Sequence, residues 1–166
     1  MNLYFTLLKF KHKIIGVVLS DNIVINVLLG NKRTKILNKI KKIYPDIKLK
    51  KNNSVIRCFL KYLTGKTKKI NLKFKKPSGS LFKEKVFEEI EKIPYGTTIS
   101  YKDLAQRLGN KKLARACGNV LSSNPVPIFI PCHRVIKSDK SIGGFMKENY
   151  DRTGWKELLL NIESKK

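Results

Sequence analysis

Apolar positions crowd into three short stretches at the start of the chain: LYFTLLKF (3–10), KIIGVVL (13–19) and IVINVLL (23–29). Each is rich in β-branched and aromatic residues, and each is predicted to form a strand. Asp21-Asn22 lies between the last two as a hairpin turn. The period then changes. In TKILNKIKKIY (34–44) and SVIRCFLKYLTG (54–65) apolar residues recur three and four apart, which predicts helices. KINLKF (69–74) predicts one more strand. KKPSGS (75–80) is polar, carries Pro77 and Gly79, and marks a boundary.

Beyond the boundary the pattern is helical. Phe82, Val86 and Ile90 make SLFKEKVFEEIEKI (80–93) amphipathic, and PYGTT (94–98) breaks it. Ser100 opens SYKDLAQRLG, with Asp103 three residues on, the signature of a capping box. Gly109 ends that helix and KKLARACGNVLSS (111–123) follows almost at once. Two short helices around a tight Gly-Asn turn fit a helix-turn-helix and fit an ordinary core hairpin equally. The second helix has a buried face of Leu113, Ala116, Cys117, Val120 and Leu121. Its other face is small and sparsely charged: Ala114, Arg115, Gly118, Asn119 and Ser122. In the last helix Trp155, Leu158, Leu159 and Ile162 form the inward stripe. The expected architecture is α/β (α+β). A small N-terminal α/β domain (1–76) precedes a mainly helical C-terminal domain (77–166) with a helix-turn-helix, winged-helix-like.

Bulk numbers narrow the function classes. The chain has 166 residues, 42% hydrophobic, enough for one well-packed domain or two small ones. No apolar run approaches the length of a membrane span. Lys9, Lys11, Lys13 and Asp21 interrupt the apolar start, so no signal peptide is read and a cytoplasmic location is expected. Three cysteines without a CxxC pair argue for free thiols rather than a disulfide framework or a zinc site. The net charge is +24, and residues 1–77 hold 20 Lys/Arg against 2 Asp/Glu. That field favours polyanions. Compositional drift toward Lys, Ile and Asn would produce the same number.

The chemistry concentrates in NPVPIFIPCHRVI (124–136), where Cys132 abuts His133, one of two histidines. A thiol becomes a nucleophile when a neighbour takes its proton, so Cys132 is expected as a thiolate. Neighbours in a regular strand point to opposite faces, so the pair can cooperate only through a bend or a bridging water. Pro125, Pro127 and Pro131 favour an irregular path, and Asn124 could fix it through its side chain. Glu163, at i+4 from Leu159, faces inward to orient His133 or frays into solvent. Packing roles for Cys132 and His133 also fit these residues.

The tetrapeptide PCHR with its upstream NPVP resembles the active-site stretch of the methylated-DNA–protein-cysteine methyltransferases, which act on O6-alkylguanine. The resemblance covers about 79–163, including YGTTISYKDLAQRLGNKKLARACGNVLSSNPVPI and SIGG followed by GWKELLLNIE. It implies that Cys132 takes the alkyl group irreversibly, once. His133 would be a water-mediated base backed by Glu163, and Asn124 the hinge shaping the site. Tyr101 would help rotate the nucleotide out of double-stranded DNA, and Arg115 would fill the gap. Lys102, Asn110 and Ser138 match positions near the DNA backbone, and Ile142, Gly143 and Gly144 positions around the flipped base. Arg134 is counted with the substrate- and DNA-binding residues, in a supporting place. No metal or cofactor is implied, and a monomer is expected. FMKENYDRT (145–153) departs from the family as a longer, more charged loop. The rival readings are a binding-only relative that recognises alkylated DNA, a thiol hydrolase, and a helix-turn-helix regulator. A binding-only relative would have replaced the Cys. A hydrolase needs an oxyanion hole and a separated base. A regulator would carry base-reading side chains on its second helix.

Overall fold

The structure is a computed structural model, and it describes residues 2–146 and 154–165. The chain forms two compact units, Met1–Lys75 and Lys76–Lys166.

The first unit is built on a four-stranded sheet. β1 (Leu3–Phe10), β2 (Lys13–Ser20) and β3 (Ile23–Gly30) form an antiparallel meander, and β4 (Lys48–Leu49) pairs parallel to β1. The β2–β3 turn has Asp21 and Asn22 both at positive φ, 49° and 65°, the left-handed pair that a tight hairpin needs. A bulge between Val18 and Leu19 adjusts the register. Central β2 reads as a nearly continuous apolar run because both of its faces are covered.

Two helices accompany the sheet. α1 (Arg33–Ile43) lays Ile36 and Ile40 on Phe5, Val18 and Leu28. Gly16 lets it approach: a Cβ there would stand 2.8 Å from both Ile36 and Ile40. α2 (Asn53–Leu63) buries Val55, Phe59, Tyr62 and Leu63. Its N-cap, Asn52, accepts from the Val55 amide and donates to the Tyr4 hydroxyl. KINLKF does not form the expected strand. Only Phe74 bridges to Val24, where the Val24 amide donates to the Lys73 carbonyl and the Lys75 amide to the Val24 carbonyl. β4 is too short to leave a period-two signature.

The second unit is mainly helical. α3 (Leu81–Glu91), capped by Ser80, buries Val86, Phe87 and Ile90. A two-residue β5 (Ile99–Ser100) pairs parallel with β6 (Val135–Ile136). α4 (Tyr101–Arg107) starts on the expected capping box, Ser100 and Asp103 each bonding the other's backbone. The Ser100 hydroxyl, and after it the Ser100 amide, donate to the Asp103 carboxyl and hold it below its ordinary range. Gly109, at φ +96°, ends the helix. The next segment begins as a 3-10 turn (Lys111–Leu113) capped by Asn110 and becomes α5 at Ala114, ending at Ser122. Its buried face is narrower than expected. Cys117 and Leu121 are buried, while Leu113, Ala116 and Val120 are half-buried. α6 (Gly154–Ser164) closes the unit. Residues 147–153 of the charged stretch lie outside the described residues. Among the described residues, no helix is long and apolar enough to cross a membrane.

The α1–sheet contact at Gly16 sets a stability prediction. Gly16→Val should destabilise the first unit by about 1–3 kcal/mol, because Ile36 and Ile40 cannot both retreat. Chemical denaturation compared with the parent chain measures it.

Candidate active site

The path from Asn124 to Arg134 answers how Cys132 and His133 can serve one site. The Val126 carbonyl accepts from the Ile130 amide, closing a compact loop. Ile128, inside it, sits at φ +79°, a left-handed conformation that a β-branched residue adopts only under tertiary constraint. Pro131 (φ −81°, ψ 58°) makes an inverse γ-turn, with the Cys132 amide donating to the Ile130 carbonyl at 2.8 Å. Cys132–Arg134 is then a 3-10 turn, not a strand, so the strict alternation of faces does not apply. Asn124 ties the path together. Its Oδ1 accepts from the Val126 amide, and its Nδ2 donates to the Ile130 carbonyl (2.9 Å) and toward Cys132 Sγ (3.2 Å).

Glu163 is buried, which decides the choice left open by its spacing. Its Oε1 takes His133 Nε2 at 2.7 Å and Arg134 Nη2 at 3.0 Å. Its Oε2 takes Arg134 Nε at 2.9 Å and the Gly96 amide at 3.1 Å. A carboxylate with a bidentate guanidinium is an acceptor, so His133 Nε2 carries the hydrogen. The imidazole is buried, which lowers its pKa below the ordinary value against the pull of Glu163. It is therefore neutral, with Nδ1 as a lone pair that has no partner among the described residues. Arg134 corrects an expectation. Counted among the DNA-binding candidates, it points inward and spends its donors on Glu163 and, through Nη1, the Ile93 carbonyl at 2.7 Å.

Cys132 is 3% exposed and lines a pocket of about 150 Å³ with Tyr101, Gly118, Leu121, Ser122, Gly144, Phe145 and Met146. The expected resting thiolate is corrected too. Burial pushes the thiol pKa up, more than the Asn124 donor and the nearby Lys156 charge pull it down. At rest the sulfur is protonated.

Lys156 is the residue that sequence reasoning missed. It is fully buried, and its Nζ lies 3.4 Å from the Tyr101 hydroxyl and 3.3 Å from the Gly144 carbonyl. Burial lowers its pKa to about 8, with Cys132 opposing the shift. The Tyr101 hydroxyl, on a half-buried ring, is pushed up to about 12 by desolvation and keeps its proton. The signal was present: Lys156 stands three residues before Leu159 and seven before Glu163, on the same helical arc. Leu158, placed on the stripe, is only half-buried.

The other candidates spread over the surface of this unit. Arg115, Lys102, Asn110 and Ser138 are exposed. Asn110 Oδ1 is engaged by the Lys112 amide. Of Ile142, Gly143 and Gly144, only Gly144 lines the pocket. Among the described residues no cluster of His, Cys, Asp and Glu could hold a metal ion.

Residues 81–165 match the family model described as 6-O-methylguanine DNA methyltransferase, DNA binding domain. The chain belongs to this family. It is similar to the constitutive methylated-DNA–protein-cysteine methyltransferase of Bacillus subtilis, 39% identical over 102 residues. That match covers 61% of this chain and 59% of the relative. The Haemophilus influenzae enzyme of that name is 36% identical over 88 residues, covering 53% of this chain and 49% of the relative. The chain thus spans only half to three fifths of these relatives' length. The fold extends further than the sequence likeness. The Mycobacterium tuberculosis O6-methylguanine methyltransferase has a TM-score of 0.78 at 20% identity, covering 98% of this chain and 93% of that one. A Pyrococcus kodakaraensis counterpart has 0.76 at 24%, covering 96% and 98%.

Removing Arg134 would leave Glu163 buried with one guanidinium's donors missing. Arg134→Ala should cost about 3–5 kcal/mol of stability. The slope of DNA affinity against salt should stay unchanged. A flatter slope with intact stability would return Arg134 to the DNA-facing set.

Proposed function

We propose that this chain repairs DNA by direct reversal, moving the alkyl group of an O6-alkylguanine to Cys132 in a single turnover. The observation that carries the reading is the buried run Glu163–His133 ending at the unpartnered Nδ1, beside a pocket floored by a cysteine. Family membership and the likeness to a Mycobacterium tuberculosis OGT described in complex with DNA support duplex DNA as the partner.

A stacked base cannot reach a sulfur that is 3% exposed, so the nucleotide must leave the helix. α5 supports this. Its outward side offers half-buried Ala114 and Gly118 and exposed Asn119, which would let a backbone approach DNA closely, and exposed Arg115 would occupy the vacated stack. Lys102, Asn110 and Ser138 would meet phosphates. The flipped guanine would lie against Tyr101 and Gly118, with the Gly144 backbone at its edge. A Cβ at Gly118 would already stand 3.7 Å from the Tyr101 ring.

The transfer balances within these groups. His133 Nδ1, through a water, takes the Cys132 proton, and Glu163 stabilises the imidazolium. Sγ then attacks the alkyl carbon, the S–C bond forms, and the C–O bond breaks with its electron pair going to O6. The departing purine anion takes one proton from the donors beside it, Tyr101 O–H backed by Lys156. Because a neutral thiol at rest becomes a thiolate only beside the lesion, the site resists reaction with other electrophiles. The thioether has no leaving group, so the product is spent. The reaction so written uses no metal or cofactor.

Three outcomes test this reading. Duplex DNA carrying labelled O6-methylguanine should label the protein once, at Cys132, by intact and peptide mass. Multiple turnover, or labelling that survives Cys132→Ala, would sink it. Arg115→Ala should slow repair of duplex roughly ten-fold or more while leaving transfer from a free base analogue nearly unchanged. Lys156 is charged below about pH 8 and neutral above it. The rate on the free analogue should therefore decline as pH rises through about 8, and Lys156→Met should be slow throughout and lack that decline.

A further inference from the structure

The first unit carries a groove that the repair reaction does not use. Along α2, Asn53, Ile56, Arg57, Leu60, Lys61 and Thr64 recur three and four apart, and with Lys66 they line an open groove of about 470 Å³. This stripe is separate from the helix's buried face of Val55, Phe59, Tyr62 and Leu63. Its floor is apolar, made by half-buried Ile56 and Leu60. Its rim is cationic, made by exposed Arg57, Lys61 and Lys66. Among the described residues none of these three cations pairs with a carboxylate. The unit's only acids are Asp21 and Asp46, and neither lines the groove.

We propose that this groove docks an acidic, amphipathic peptide segment of a partner protein. The apolar floor separates this from simple polyanion binding. A phosphate backbone gains from cations spread over a polar surface. It gains nothing from two aliphatic side chains held in a trough between them. A segment with two aliphatic anchors at helical spacing and carboxylates flanking them satisfies both features. The anchors bury against Ile56 and Leu60, and the carboxylates meet Arg57, Lys61 and Lys66. The rim charges speed the encounter and set specificity, while the anchors supply most of the residence time. Such docking would bring the protein to a partner independently of alkyl transfer.

The test uses the full chain and a short fluorescent peptide of Asp and Glu carrying two Leu four residues apart. Its binding is compared with that of the same peptide with Ser for Leu. The Leu peptide should bind at least about ten-fold more tightly, and Lys61→Glu and Arg57→Glu should each weaken it about ten-fold. Both are surface changes that keep the fold. Leu60→Ser should remove the preference for Leu, and alkyl transfer from O6-methylguanine duplex should be unaltered in all three. Equal binding of the Ser peptide would overturn the proposal. So would undamaged duplex displacing the Leu peptide, with its own affinity falling in step in Arg57→Glu and Lys61→Glu, since the groove would then be a polyanion surface.

Discussion

A carboxylate taken out of water near the end of a helix must be compensated fully or it unfolds what surrounds it. Glu163 meets that demand with donors from two parts of the second unit: the Gly96 amide in the PYG turn, and His133 and Arg134 on the 3-10 turn. The consequences run outward from that one group. Arg134 keeps it ionised, so His133 must donate through Nε2. The free lone pair is then on Nδ1, the atom a base needs. Gly96 is held in place by the same group. At φ +77° its backbone is left-handed, and a Cβ there would stand 2.9 Å from the Glu163 carbonyl. The turn that ends α3 and the helix that closes the unit therefore fix each other, and the imidazole orientation is their joint result.

The loop from Asn124 to Pro131 supplies the other half of the site by a different kind of force. Here backbone conformation is spent rather than charge compensated. Ile128 at positive φ carries a cost on the order of 1–3 kcal/mol. It is maintained by the Asn124 bonds and by burial of Val126, Ile128 and Ile130. The outcome is a sulfur whose amide is turned back by Pro131 and whose side chain rests against the Asn124 donor. Asn124 is thus a hinge in the sense that three separate backbone and side-chain positions depend on one amide group.

Much of this was legible in the sequence where a local rule applies. The hairpin at Asp21-Asn22, the capping box at Ser100–Asp103, the stop at Gly109 and the helical periods all depend on neighbours within a few residues. KINLKF failed because a strand needs a partner edge, and here only Phe74 bridges to Val24. The inward set of α6 was legible only in part. Spacing placed Glu163 on the arc, but the same spacing places Lys156 there, and residue type argued against burying a lysine. Arg134, counted with the DNA-binding residues but in a supporting place, turns inward because Glu163 lies within 3 Å of it, a partner 29 residues away that no local rule reveals. What one sequence cannot supply is which polar groups meet across long separations, and the site is made of such meetings.

The buried lysine carries the argument one step further. Among the described residues Lys156 bonds to the Tyr101 hydroxyl and the Gly144 carbonyl and to no carboxylate, and its burial penalises the charged form, so it weakens the fold at neutral pH. Because its folded pKa is about 8 against an ordinary 10.5, the unfolded chain binds more protons between those values. Stability therefore rises with pH across that window. A well-packed apolar residue would serve the fold better there. What a cation offers instead is a charge that the neutral thiol does not oppose and the thiolate does. The destabilisation at rest is converted into stabilisation of the ionised sulfur. In the proposed single-turnover transfer that charge is held in waiting, because the thiolate need exist only for the one encounter.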